Sequence, residues 1–417
     1  MHNLITPEPF TEEIMEKARR LRSSLPLPAC LDSPFFLARF LRAHGGDEDV
    51  ARKRVEEYLS HRQTLGYADL SDMEIFTEFP IGKATYRRFC ISRVDRSVRS
   101  GDVHVFVHKM EGTDLKEIMK VIPLSHVLHS YFMLHEVFGR AVAETEKRTG
   151  RPSSVVTILD LKGLNLSEFL NPLSAPVQLA RLVVKVWSEY FSDNMCKLLL
   201  INPPGIVSLM FKVGEFRFDS RSWGKISKFN EKKNLFKISK FIMDSRTANK
   251  LAFLNDVSEL QNYLEPQAIP EEYGGTMRDD SGYAQPPEGC THPLLPVLSS
   301  EHRGCDDIWT DHGILKPPAS KTYSIKSHQD SEIIKKCTQS GRLIWNFTIS
   351  GDVDFEIVKR ESGKEVQVWP KVTLTSLKLP EYGSVAVNPG EYVIRIRNPS
   401  TTWFPVKVTG AADFKAE

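Results

Sequence analysis

No apolar stretch in this sequence approaches the roughly 20 residues needed to cross a bilayer as a helix. The N-terminal MHNLITPEPFTEEIMEKARR has no apolar core of the kind a secretory signal carries, so a leader is not expected. Cysteine is sparse and scattered: Cys30, Cys90, Cys196, Cys290, Cys305 and Cys337 form no Cys-x-x-Cys pair. That excludes the usual zinc and thioredoxin spacings and fits reduced thiols in a cytoplasmic chain. An excess of one charge is also missing, because 55 basic residues against 53 acidic leave a net charge of +2. Nucleic acid is therefore not an expected partner. Gly-x-Ser-x-Gly and His-Glu-x-x-His are absent, and Gly274-Gly275 is not followed by the Lys-Ser of a phosphate loop. No enzyme activity is expected. His126 and His129 share a helical face, but His135 falls well round from them, so neither a metal nor another cofactor is expected.

What is present is an ordinary globular composition, long enough for two or three domains. Residues 1–75 read as a helical lead-in. Ile14, Ala18, Leu21 and Leu25 recur on one face, and Phe36, Leu37, Phe40 and Leu41 on another, with Gly45-Gly46 as a stop. Across 76–276, β-branched runs alternate with helical patterns. The runs are Val103–Val107, Val155–Leu159 and Lys197–Ile201; the helical patterns are Leu124 to Val142 and Val177 to Tyr190. That order predicts an α/β domain with a mainly parallel sheet, its strands buried on both faces. In LLLINPP, the prolines Pro203-Pro204 end such a strand because they cannot donate to the ladder. A Pro/Gly/Ser/Asp-rich stretch, 277–318, reads as a linker. Residues 319–412 then alternate with period two, as in Leu343/Trp345/Phe347/Ile349, between turns such as Ser350-Gly351-Asp352 and Asn388-Pro389-Gly390. This predicts a small all-β antiparallel sandwich.

Four dispersed motifs carry a resemblance. Phe35-Phe-Leu-Ala-Arg-Phe-Leu-Arg-Ala43, Ile158-Leu-Asp-Leu-Lys-Gly-Leu164, Leu200-Ile-Asn-Pro-Pro204 and Ala268-Ile-Pro-Glu-Glu-Tyr-Gly-Gly275 resemble the CRAL-TRIO lipid-binding family. The tail, with its Leu-x-Trp-x-Phe and Pro-Gly-Glu-Tyr-Val-Ile-Arg strands, resembles a GOLD (Golgi dynamics) sandwich. The pairing is similar to the tocopherol-associated and supernatant-protein-factor branch of cytosolic lipid carriers. Such a fold implies a cavity holding one lipid, phospholipid or isoprenoid, carried between membranes with transient contact at their surface. The GOLD-like part then supplies protein or membrane contacts. An alternative is a ligand-sensing regulatory adaptor acting through that part.

On this resemblance, Val105, Val107, Tyr131, Leu134, Ile158, Leu200 and Ile201 are expected to line the pocket. Ile206, Leu209, Met210, Phe211, Phe241 and Ile242 are expected to form a gate over it. Members that transfer phosphatidylinositol carry an Arg-Lys pair where this chain has His44-Gly45, and a Tyr-Pro-Glu where it has Phe191-Ser192-Asp193. Lys250 matches a lysine of the same headgroup site, so His44, Asp193 and Lys250 are the headgroup candidates; a charge pair between Asp193 and Lys250 and two solvated surface charges are both left open. The missing basic pair favours a neutral ligand. Residues 214–234 match no family pattern and read as an insertion, with six basic residues against three acidic and interleaved aromatics. Burial of an acyl chain of about 18 carbons offers on the order of 14 kcal/mol, against about 1 kcal/mol for a headgroup hydrogen bond. The apolar wall supplies affinity, and polar residues choose the ligand.

Overall fold

The computed structural model describes residues 4–92, 98–169, 171, 173–203, 249–278, 294–401 and 403–416. The chain clusters into two units. The first comprises Met1–Val55, Tyr86–Thr113 and Leu134–Pro296, and the second Glu56–Thr85, Asp114–Met133 and Val297–Glu417. The helices Glu48–Leu65 and Leu124–Thr149 each contribute residues to both. The stretch expected to be linker is not all linker: it supplies the helix Asp307–Asp311, whose Ile308 and Trp309 are buried against Ile344, Leu379 and Tyr382.

In the first unit, β1 (Cys90–Ile91) and β2 (Val98–Ser100) run antiparallel to β3 (Val103–Lys109). Parallel pairing then joins β3 to β4 (Ser154–Asp160), β4 to β5 (Met195–Ile201) and β5 to β6 (Leu251–Phe253). Val, Ile and Leu are frequent in β3 to β5 because branched side chains pack well on a pleated apolar surface. The helix Phe36–Ala43 buries Phe36, Leu37, Phe40 and Leu41 as its spacing predicts, and Gly45 and Gly46 at φ 65° and 80° end it. Its Arg39 forms a buried ion pair with Glu146 near the end of Leu124–Thr149. Glu146 also accepts hydrogen bonds from Ser33 Oγ at 2.6 Å and the Ser153 N–H at 2.8 Å. A buried carboxylate satisfied this fully holds the helical lead-in to the α/β layer.

The second unit holds two four-stranded antiparallel sheets. One has the order β11-β10-β13-β8 and the other β12-β9-β14-β7. The strands are β7 (Lys321–Ile325), β8 (Asp330–Cys337), β9 (Gly341–Ile349), β10 (Val353–Glu361), β11 (Lys364–Leu374), β12 (Glu381–Val387), β13 (Gly390–Arg397) and β14 (Val406–Ala416). Inward rings from the two sheets meet: Trp345 lies 5.9 Å from Phe355 and 5.0 Å from Trp369 between centroids. Ser362 and Gly363, both at positive φ, make the tight turn between β10 and β11. Against this core sits a polar group of chain-distant residues. His61 bridges Tyr67 Oη at 2.9 Å and His129 Nδ1 at 3.0 Å, and the His129 ring lies edge-on to Trp369. Burial lowers the His61 pKa to about 3 and takes His129 well below its ordinary value, so both stay neutral. His129 thus pairs with His61 rather than with His126.

Glu381, at the start of β12, accepts a hydrogen bond from Trp345 Nε1 at 3.2 Å. Burial raises its carboxyl to about 7, while the Ser125 hydroxyl and Trp345 act in the lowering direction. The folded unit therefore keeps a proton between about pH 4.5 and about 7 that the unfolded chain has released, and stability falls as pH rises through that window. Relative to Glu381→Gln, wild-type stability is expected to drop by about 3 kcal/mol over this range. Urea titrations of both proteins across that range check it, and a constant difference would show that Glu381 does not titrate. Comparing the two cancels the opposite slope contributed by the buried histidines.

Candidate functional site

Side chains alternate across a strand, so the pairing register decides which residues share a face. Val105 pairs with Val156, Val107 with Ile158, Ile158 with Leu199 and Asp160 with Ile201. These residues form one face. Val103, Val105, Val107, Val156, Ile158, Leu199 and Ile201 pack there against Leu254, Leu260, Leu264, Ala268, Ile269 and Tyr273. All are buried, most of them completely. This is a closed core.

The opposite face differs along its length. At the β3 side, Phe106 and Val155 are covered by Phe138 and Val142 of the long helix, with half-buried Leu134 beside them and a Phe106–Phe138 centroid distance of 4.1 Å. Towards β5 and β6 the same face carries Leu159, Leu198, Leu200, Leu251 and Phe253, which cluster with Met110, Leu161 and Leu164. Five of these eight, Leu159, Leu164, Leu198, Leu251 and Phe253, are only half-buried. The eight are aliphatic, thioether or aromatic side chains, and what they offer is removal of apolar area from water.

The expected pocket residues therefore separate. Leu200 lies on the half-buried face and Leu134 at its helix-covered side. Val105, Val107, Ile158 and Ile201 point the other way, into the closed core. Nearly continuous apolar runs conceal the alternation, and only the register reveals it. Tyr131 groups with the second unit, where burial raises its phenol pKa well above the ordinary value. The gate candidates Ile206, Leu209, Met210, Phe211, Phe241 and Ile242 lie outside the described residues, as does the insertion 214–234. Leu159, Leu198, Leu251 and Phe253 were not among the sequence candidates. Two-residue steps from Leu200, carried across the sheet by register, identify them.

The three headgroup candidates fall in one neighbourhood, and each already has partners within the chain. Asp193 receives Lys250 Nζ at 3.2 Å on one oxygen and Arg42 Nε on the other. Lys250 also donates to the carbonyls of Met195, at 2.9 Å, and Ser192, so all three ammonium protons have acceptors. His44 Nε2 lies 3.0 Å from the Glu189 carbonyl, in the π-helical turn Trp187–Phe191. Of the two readings left open for Asp193 and Lys250, the charge pair is the one present, within a clasp between the Phe36–Ala43 helix, this turn and the start of β6. Sequence inspection missed Arg42, the second arginine of the Arg-Phe-Leu-Arg motif.

A second polar lock closes the carboxyl ends of the parallel strands. Tyr273 Oη donates to Asp160 Oδ2 at 2.7 Å, and Asn202 Nδ2 donates to Oδ1 at 2.9 Å. Lys109 and Glu272 pair at 2.6 Å beside them. Asn202 sits at φ 48°, a conformation asparagine tolerates better than branched residues, and so turns the chain out of β5 before Pro203.

These faces should respond differently to truncation. Ile158→Ala is expected to cost about 2–5 kcal/mol, as a cavity in a closed core does. Leu198→Ala, at a half-buried site, should cost about 1 kcal/mol or less. Urea unfolding of both variants tests the distinction, and equal losses would show that the faces do not differ.

No family model matches this sequence. The chain is 24% identical over 393 residues to a CRAL-TRIO domain-containing protein of Caenorhabditis elegans, covering 91% of this chain and 90% of that one. It is 23% identical over 284 residues to a phosphatidylinositol/phosphatidylcholine transfer protein of Arabidopsis thaliana, covering 67% of this chain and 62% of that one. Among solved structures, the crystal structure of Sfh5 aligns with 69% of this chain and 95% of its own, at 13% identity and a TM-score of 0.42.

Proposed function

We propose that this protein binds a single hydrophobic lipid on the half-buried face of its parallel sheet and transfers it between membranes. The observation that carries this reading is the unequal treatment of the two faces of one sheet. One is sealed by Leu254 to Tyr273, whereas the other leaves Leu159, Leu198, Leu251 and Phe253 half-buried around Leu200. Similarity to a CRAL-TRIO domain-containing protein over nearly the whole chain, and to a relative whose name is that of a phospholipid transfer protein, supports it.

The ligand is read as a neutral isoprenoid-type molecule or a phospholipid held mainly by its chains. His44, Asp193 and Lys250 are committed to intramolecular bonds, which disfavours an inositol-phosphate headgroup at that clasp. The antiparallel sandwich is read as GOLD-like, the branch as the tocopherol-associated one, and the working site as the cytoplasm with transient membrane contact. The bound molecule is carried without being converted.

Native mass spectrometry of the protein expressed in cells, with extraction of its lipid, is expected to show one hydrophobic molecule per chain. Leu200→Asp should abolish loading, because it places a carboxylate within the apolar cluster. Absence of any stoichiometric lipid across several hosts and lipid supplies would defeat the carrier reading. Vesicle-to-vesicle movement of labelled lipid tests transfer itself.

A further inference from the structure

Among the described residues, Trp187, Trp309, Trp345 and Trp369 are all buried, with exposures of 0–6%. Trp403 is 99% exposed, and the adjacent Phe404 is 82% exposed. Both lie in the connection between β13 and β14. Isolated apolar residues on a surface are ordinary, but a contiguous Trp-Phe pair held this far into water is a feature of recognition surfaces.

The base of this connection is firmly tied. Asn398, fully buried, donates through Nδ2 to the Ile325 carbonyl at 3.0 Å and through its N–H to the Gln329 carbonyl at 2.9 Å. Its own carbonyl accepts from the His328 N–H at 2.9 Å, and its Oδ1 from the Ser400 N–H at 3.0 Å. These bonds join the connection to residues 326–329, the turn after β7, and Val406 pairs with Ile325 beside it. The aromatic pair is thus carried at the end of a sheet on an anchored base.

The two segments themselves carry charge of one sign only. The segments KSHQ (326–329) and NPSTTWFPVK (398–407) contain no acid, and each contributes an exposed lysine, Lys326 and Lys407. The carboxylates nearest to them in the chain are Asp330, opposite Arg397 in the β8–β13 register, and Glu391 and Asp413, which pair with Lys336 and Lys335. Two rings bury about 150–250 Å² each, well short of the ~800 Å² per partner of a stable protein interface. A bilayer requires no such area, because each ring enters the headgroup region on its own while lysines remain among anionic headgroups.

We propose that the Trp403–Phe404 tip, flanked by Lys326 and Lys407, docks the protein on an anionic lipid membrane by inserting its two rings at the interface. This deepens the transfer reading by naming the surface that meets the membrane, and it is tested separately from ligand loading. The full-length protein is co-sedimented with phosphatidylcholine vesicles, with and without phosphatidylserine. Trp403→Ala/Phe404→Ala is expected to bind both kinds about tenfold more weakly. Lys326→Glu/Lys407→Glu should lose most of the preference for phosphatidylserine, about fivefold per lysine, and added salt should reduce that preference in the wild type.

Circular dichroism and thermal melting should be unchanged in both variants, since the substituted side chains are exposed. A folded Trp403→Ala/Phe404→Ala protein that binds vesicles as the wild type does would overturn the proposal. So would wild-type vesicle binding combined with loss of a co-purifying protein. Native mass spectrometry of the same variant should still find bound lipid. An empty wild-type protein that nevertheless needs Trp403 and Phe404 for vesicle binding would defeat the carrier reading and leave the docking surface standing.

Discussion

The pairing register of β3, β4 and β5 is the constraint on which the candidate site depends. Each strand is apolar at nearly every position, so hydrophobicity alone does not say which side chains seal the core and which remain half-exposed. A slip of one residue would send Leu198 and Leu200 beneath the Leu254–Tyr273 segment and turn Leu199 and Ile201 outward. The register shift between β4 and β5 at Val155/Val156 sets this phase: Val155 faces Met195 while Val156 faces Lys197, leaving Cys196 as the extra residue. One irregularity near the start of a strand thus determines which leucines occupy the half-buried face.

Charge around the same sheet is used for closure. Arg39 with Glu146, Arg42 and Lys250 with Asp193, and Lys109 with Glu272 all join segments distant in sequence. Arg39–Glu146 is buried and the others are partly so; breaking such a pair leaves a poorly solvated charge, so each restricts the arrangement of its segments even where its net contribution to stability is small. A ligand seeking a cation at the Asp193 clasp would have to compete with these internal bonds. On the proposed lipid-binding reading, selection at the apolar face rests on shape and chain length more than on headgroup charge.

Much of the architecture was legible in the sequence. Stripes at helical spacing located the helix Phe36–Ala43, and β-branched runs located β3, β4 and β5 to within two residues at either end. Period-two alternation located β9 and β10, and a short apolar run after Asn388-Pro389-Gly390 located β13. The site was less legible for a physical reason: a strand buried on both faces loses the polar–apolar contrast that assigns side chains to faces. Val105, Val107, Ile158 and Ile201 looked equivalent to Leu200 and differ from it only in phase. The sequence leaves open whether Asp193 and Lys250 meet; they do, and Arg42 completes the clasp and leaves little of either free. Burial of Ile308 and Trp309 within a Pro/Gly-rich stretch likewise depends on tertiary packing that local composition does not encode.

The second unit is discontinuous in the chain, and this bears on how the protein is made. His61 and His129 contact each other, and Trp369 packs on His129 although 240 residues separate them in sequence. During synthesis from the N-terminus, the Leu124–Thr149 helix emerges long before β11 exists to cover its Ser125–His129 turn. That part of the helix must wait, incompletely packed, while the parallel sheet can already assemble. Contacts of such long range slow folding, and they make release of the last strands from the ribosome the step that completes the unit. A nascent chain stalled before β11 would present the His129 face to chaperones, a liability set by chain order rather than by the stability of the finished fold.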